Sequence, residues 1–193
     1  MKIKASFLSF FSFFPLKAPG LFAALALAAA ASLDAQIIVD SFVYERNGQG
    51  TALIKYNGMA ATITIPNNIE GMAVTEIGHR VFYGCTGLVN VTIPASVATI
   101  GYEAFSGCAG LAIVTVGSGN PAYASVTAIG EHAFFNCDLL TSVTFGAGSS
   151  IRSADFAYYG SFPGDLRAAY FAQAGGPGTY TRPSNSSSWI KSQ

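Results

Sequence analysis

The sequence predicts an α/β repeat solenoid: a right-handed coil with a parallel β-sheet on one face, short helical turns on the other, and a β-hairpin capping its amino-terminal end. Three observations predict it. The block Ile100-Gly101-Tyr102-Glu103-Ala104-Phe105-Ser106-Gly107-Cys108 stands between two near copies, Ile77 to Cys85 and Ile129 to Cys137. The cysteines are 23 and then 29 residues apart, periods that belong to chains in which each repeat forms one coil and stacks on the next. After each cysteine the chain alternates with a period of two, as in Val91-Thr92-Ile93, Val114-Thr115-Val116 and Val143-Thr144-Phe145, which makes a strand with one buried face.

The chain opens with Lys2 and Lys4, a Phe-rich run, and then the apolar stretch Leu21 to Leu33. A basic start, a short apolar core and small residues after it describe a secretory signal, and the stretch is shorter than the roughly 20 residues a spanning helix needs. Residues 1–35 are therefore read as a signal peptide cleaved after Ala35, with cleavage after Ala31 and an uncleaved anchor as alternatives. No Cys precedes Cys85, so no lipidation site follows the signal. Without residues 1–35 the chain keeps 7 basic and 9 acidic residues. No basic patch is left for nucleic acid, and the remaining length suffices for one domain.

From Ile37 to Ile65 come short β-prone runs, Ile37 to Val39, Phe42 to Tyr44 and Ala52 to Ile54, with turn signals at Asn47-Gly48-Gln49-Gly50 and Asn57-Gly58. A solenoid's first coil would otherwise expose its apolar end, so residues 36–62 are read as the cap and Thr62 to Ile65 as the first strand of the stack. Residues 63–164 form the solenoid. Within each coil Phe105, Cys108 and Leu111 recur at helical spacing, which predicts one short helix or 3₁₀ turn ended by Gly107. The six extra residues of the second period fall in Gly117 to Ala128, an insertion at a loop. A fourth, degraded coil is read in Ile151 and Phe156, which keep the Ile-to-Phe spacing of five. Residues 165–193 are expected to be a carboxyl-terminal cap and flexible tail: a helix over Asp165 to Ala174 with Leu166, Ala169, Tyr170 and Ala174 on one side, a break at Gly175-Gly176-Pro177-Gly178, a flexible run Ser184 to Ser188, and Trp189 docking back.

The pattern Ile-Gly-x-x-Ala-Phe-x-x-Cys-x-x-Leu-x-x-Val-x-Ile-Pro resembles the bacterial leucine-rich repeat of the treponemal or BspA-like type over roughly Ile63 to Phe156. That family is found in secreted and surface proteins of oral and host-associated bacteria. Asn120-Pro121-Ala122-Tyr123 is similar to the Asn-Pro-x-Tyr hairpins of the family, and Pro177 to Arg182 resembles carboxyl-terminal segments of treponemal members. The commoner leucine-rich pattern, Leu-x-x-Leu-x-Leu-x-x-Asn, is not met: Ser96 and Gly119 stand where its asparagine ladder would fall. The resemblance implies a leucine-rich-repeat-like coil and a protein that is secreted, periplasmic or on the cell surface.

Little points to catalysis. Neither His79 nor His132 has a nucleophile and an acid at a motif spacing, and the two occupy different repeat offsets, so no metal is expected. Glu103, Glu131 and Asp138 read as a solvated face. Cys85, Cys108 and Cys137 read as small thiols packing as hydrophobes, because adjacent strands hold side chains about 4.8 Å apart and a disulfide wants Cβ atoms about 3.8 Å apart. Gly117 to Ala122 opens no long helix, so it reads as a turn rather than a phosphate loop. No cofactor is implied. Tyr83, Tyr102, Tyr158 and Tyr159 are candidates for exposed aromatics.

The candidate binding residues are Thr64, Thr92, Thr115 and Thr144, which lie between inward residues and stack into an outward ladder, with Asn90 and Ser142 beside them. Such a row offers hydroxyls at strand spacing with little charge, which suits a glycan or an extended protein segment. The expected function is an exported, non-enzymatic binding or adhesion module that is monomeric and has no membrane span in its mature form. Two alternatives stand beside it: a secreted enzyme or enzyme accessory, and an envelope scaffold without ligand.

Overall fold

The computed structural model describes residues 36–48, 50–118, 126–157, 160–184 and 186–192. The expected signal peptide, the Asn120 to Tyr123 segment expected as a hairpin, most of the Gly117 to Ala122 loop, and Tyr158 and Tyr159 lie outside the described residues.

The chain winds as a solenoid of about three turns with two parallel sheets. Each repeat contributes a strand to both. The second sheet contains the Val-x-Ile runs: β4 (Thr62–Thr64), β7 (Asn90–Pro94), β9 (Ile113–Ser118) and β11 (Ser142–Phe145) pair in parallel, in that spatial order. The first sheet is built at the other end of the repeat, where β6 (Met72–Ile77), β8 (Thr99–Ile100) and β10 (Ala128–Ile129) pair in parallel through Ile77, Ile100 and Ile129. Periodicity shows one strand per coil because the second is only two residues long in β8 and β10. Ahead of the coils, β1 (Ile37–Val39), β2 (Phe42–Arg46) and β3 (Thr51–Tyr56) form an antiparallel meander, and β3 lies parallel to β6, so the meander extends the first sheet. The short β5 (Asn68–Ile69) pairs antiparallel with β6.

Between the Ile of the first sheet and the strand of the second, the expected helix is replaced by hydrogen-bonded turns. Cys85, Cys108 and Cys137 each donate their amide to the carbonyl three residues back, at 3.1, 3.2 and 3.3 Å, but the bonds never propagate. Two residues per coil hold left-handed backbone: Arg80, Glu103 and His132 (φ 56°, 52° and 56°), then Gly84, Gly107 and Asn136 (φ 71°, 74° and 56°). Left-handed residues occur singly and break a right-handed helix. The amides are then free to bond along the solenoid axis: Phe82 donates to the Ala104 carbonyl, Phe105 to Ala133 and Phe134 to Ser161, at 2.7–2.8 Å. The helical spacing of Phe105, Cys108 and Leu111 therefore records three inward positions of a turn.

Stacking aligns like residues. Phe82, Phe105 and Phe134 form a column with near-parallel rings, 4.7 and 4.9 Å between centroids. The column continues to Phe162, 4.4 Å from Phe134, and Phe156 pairs in parallel with Ile129. This corrects the register of the fourth coil. Phe156 takes the Ile position and Phe162 the Phe position, six residues on rather than five, while Ile151 is buried ahead of both. Close approach of the coils requires glycine at Gly101, where an added Cβ would lie 2.8 Å from the Gly78 carbonyl carbon.

The cysteines are free thiols in the same core. Cys108 and Cys137 are fully buried, and their Sγ atoms lie 3.0 and 3.2 Å from the carbonyl oxygens of Phe82 and Phe105. Hydrogen bonding to the Cys108 thiol and burial both push the Cys137 thiol up.

The tail folds back onto the coils. Helix α1 (Leu166–Phe171) buries Leu166 and Tyr170, while Ala174 is exposed. The chain then returns as β12 (Gly178–Thr181), which pairs antiparallel with β11, and β13 (Ile190–Lys191) follows on β12. Trp189 is buried and donates its indole N–H to the Pro163 carbonyl at 2.7 Å. Within the Ser-rich run, the Ser186 carbonyl accepts from Arg182 at 2.6 Å and the Ser187 carbonyl from the Asp165 amide at 2.9 Å.

Candidate functional site

The second sheet keeps its outward face uncovered by any described residue of the chain. Along each strand Val91 and Ile93, Val114 and Val116, or Val143 and Phe145 are buried, so the alternate residue points away from the core. Register places Thr64 opposite Thr92, Thr92 opposite Thr115, and Thr115 opposite Thr144. The four expected threonines are therefore one unbroken row; Thr64 is exposed and the other three are half-buried by their neighbours.

Asn90 and Ser142 lie in a second row, two residues back along the strands. They do not adjoin each other, because Ile113 of β9 stands between them. Asn90 reaches Thr62 on its other side, with 3.4 Å from Nδ2 to Oγ1.

Strand β12 lengthens both rows. Thr179 faces Thr144 with 3.0 Å between their hydroxyl oxygens, and Thr181 faces Ser142. Sequence reasoning missed these two because the strand lies outside the repeat, flanked by Gly and Pro. The alternation Thr179-Tyr180-Thr181, with Tyr180 fully buried, was the available signal. Ile113 and Ile190 are the other additions: 45% and 67% exposed respectively, they stand in the second row, Ile190 opposite Thr181. The face is thus a grid of hydroxyls with two aliphatic side chains. Its outward positions, from Thr62 to Ile190, carry no charged and no aromatic residue. Lys191, at the margin, points its ammonium to the carbonyls of Ala174 and Gly175.

The chemistry of this grid is hydrogen bonding and apolar contact. Nucleophile, base and acid are not assembled on it, and among the described residues no group of three or more His, Cys, Asp and Glu side chains is placed to hold a metal. The titratable groups cluster elsewhere, on the turns. Arg80 and the Tyr102 hydroxyl hydrogen-bond the Glu103 carboxylate and hold it below the usual carboxylate range, so Glu103 is paired where a solvated side chain was expected. Glu131 and Asp138 are exposed, as is Tyr83; Tyr102 is half-buried.

Comparison with known proteins follows the same repeat. A family model described as BspA type leucine rich repeat region matches residues 56–162, in six copies. Among solved structures, the chain is similar to a leucine rich cell surface protein from Faecalibacterium prausnitzii, with 32% identity and a TM-score of 0.50 over 57% of this chain and 30% of that one. It is also similar to a leucine rich repeat protein of T. pallidum, with 28% identity and a TM-score of 0.44 over 57% of this chain and 50% of that one. A leucine-rich repeat protein from Bacteroides capillosus is 21% identical, with a TM-score of 0.46 over 64% of this chain and 94% of that one. The chain spans half of the T. pallidum protein and under a third of the Faecalibacterium one. No curated protein matches the sequence. Among the described residues no helix is long and apolar enough to cross a membrane.

Proposed function

Because this chain belongs to the BspA-type leucine-rich repeat family, we propose that it is an exported, non-enzymatic recognition module whose threonine face holds an extended, uncharged segment of a partner protein or a glycan. The observation that carries this reading is the row Thr64, Thr92, Thr115, Thr144 and Thr179, continuous across five strands and open to solvent. Parallel sheets are ordinarily covered on both faces. Here one is bare, and its hydroxyls repeat at about 4.8 Å, a regular row of donors and acceptors for a segment laid across the strands. The lack of charge disfavours a polyanion. The two exposed isoleucines, and the want of aromatic rings for sugars to stack on, favour a protein partner over a glycan.

Export rests on the basic and apolar start of the chain and on the cell-surface description of the Faecalibacterium relative. Sequencing the natural protein from its amino terminus is expected to begin at Gln36 or Ser32; a cytosolic product retaining Met1 contradicts it.

The face is tested with an array of matrix proteins and glycans probed with residues 36–193. Thr92→Lys with Thr115→Lys is expected to abolish the signal that the wild-type chain gives. The melting curve should move only a little, since both side chains lie on the outward face and a pair of like charges on neighbouring strands costs about 0.2–1 kcal/mol. Undiminished binding by the double variant removes the site from this face.

A further inference from the structure

Away from the threonine face, a groove runs along the solenoid axis beside the first sheet, across consecutive coils. Its floor is Gly101 and Gly130, and its sides carry His79, Tyr102, Glu131 and Asp155. Register explains its shape. The residue two after the inward Ile is His79, Tyr102 or Glu131 in successive coils, while Asp155, next to the Phe156 that pairs with Ile129, extends the row of Thr99 and Ala128. Small residues between the two rows leave a trough. At about 4.8 Å per coil, three coil-to-coil steps make it about 14 Å long, the reach of four or five extended residues.

Its chemistry is unlike that of the threonine face. Glu131 and Asp155 are exposed, and among the described residues neither carboxylate has an ion pair or a side-chain hydrogen bond. No basic side chain except His79 lines the groove. Aromatic rings continue along its edge: His79 lies 6.2 Å from Tyr102 and Tyr102 6.1 Å from His132. Exposed carboxylates in a groove edged by electron-rich rings attract a cation through charge and through the ring quadrupole.

The chain itself supplies an example of the mode. Just outside the groove the Arg80 guanidinium pairs with Glu103 at 2.5 Å and lies 5.7 Å from the ring centres of both Tyr83 and Tyr102. Glu131 and Asp155 line the groove together with Tyr102, and no arginine is among its lining residues.

We propose that this groove is a second binding site, which takes arginine or lysine side chains presented by an extended segment of a partner protein. It is independent of the threonine face and does not rest on that reading. The trough sets the extended conformation, the carboxylates accept the charged head groups, and Tyr102 packs against the side chain.

Two synthetic peptides of about nine residues test it, one alternating arginine with serine and the other carrying neutral citrulline in place of arginine, titrated into residues 36–193 at low salt. The arginine peptide is expected to bind and the citrulline peptide not to. Glu131→Gln with Asp155→Asn is expected to weaken binding about tenfold or more, and Tyr102→Ala to weaken it as well, while Thr92→Lys with Thr115→Lys leaves the groove's binding in place. Glu45→Gln with Glu70→Gln, on the meander and β5–β6 turn, removes two carboxylates elsewhere and should have a much smaller effect. No binding by the arginine peptide, equal binding by the citrulline peptide, or an equal loss in the Glu45 and Glu70 variant overturns the proposal.

Discussion

Phe105→Ala is expected to destabilise the protein by about 3–5 kcal/mol, the range for deleting a buried phenylalanine ring. Phe105 is fully buried in the middle of the aromatic column, with Phe82 and Phe134 stacked on its two faces. Removing it leaves a gap that neither neighbour can fill, because each coil is tied to the next by bonds such as those from the Phe82 amide to Ala104 and from the Phe105 amide to Ala133. In a domain of this size each kcal/mol moves Tm by about 2–4 °C, so the melt should fall by roughly 6–20 °C. Phe105→Leu, which keeps most of the volume, should lose clearly less. A melt unchanged by Phe105→Ala would show that the coils are not in this register.

Deleting residues 165–193 is expected to leave a chain that aggregates. The segment puts Tyr170 4.9 Å and Tyr180 5.9 Å from the ring of Phe145, and buries Leu166 and Trp189. At about 1.5–3 kcal/mol for each large apolar side chain buried, these four account for roughly 6–12 kcal/mol, comparable with the total stability of about 5–15 kcal/mol for a typical domain. Polar groups are stranded too. Arg182 donates its amide to the Thr141 carbonyl at 3.0 Å, as Thr141 does to Ala112 and Ala112 to Val89, and its side chain to the Leu140 and Asp138 carbonyls at 2.7 and 3.1 Å. Without β12 the apolar strand β11 becomes an open edge, a template for pairing with another chain. We propose on these grounds that the segment is the carboxyl-terminal cap. A truncated chain that stays soluble and melts in one cooperative step contradicts that assignment.

The parts of this fold that follow from recurrence were legible in the sequence. Ile77, Ile100 and Ile129, the phenylalanine column and the threonine row all repeat with the period, so their stacking could be read before any coordinate. What could not be read lies where recurrence ends or where one spacing has two geometries. Phe105, Cys108 and Leu111 have the spacing of a helix, yet the left-handed backbone at Glu103 and Gly107 turns the amides toward the next coil. Only the neighbouring coil, absent from any local window, supplies the acceptors. Phe156 and Phe162 sit one residue further apart than Ile129 and Phe134, so a rigid spacing template slipped by one coil position. Thr179 and Thr181 joined the candidate face through an antiparallel strand that belongs to no repeat, and Ile113 stands where the flanking coils have Asn90 and Ser142.

The central claim is that recognition takes place on the threonine face, and threonine methyl NMR tests it most directly. With the threonine methyls labelled, the partner that the array identifies is added to residues 36–193. Shifts are expected at Thr64, Thr92, Thr115 and Thr144, with Thr51, buried in β3 of the meander, and Thr99, in the groove on the other sheet, unmoved. Shifts confined to Thr99 and its surroundings, with the four ladder methyls unchanged at saturation, would contradict it.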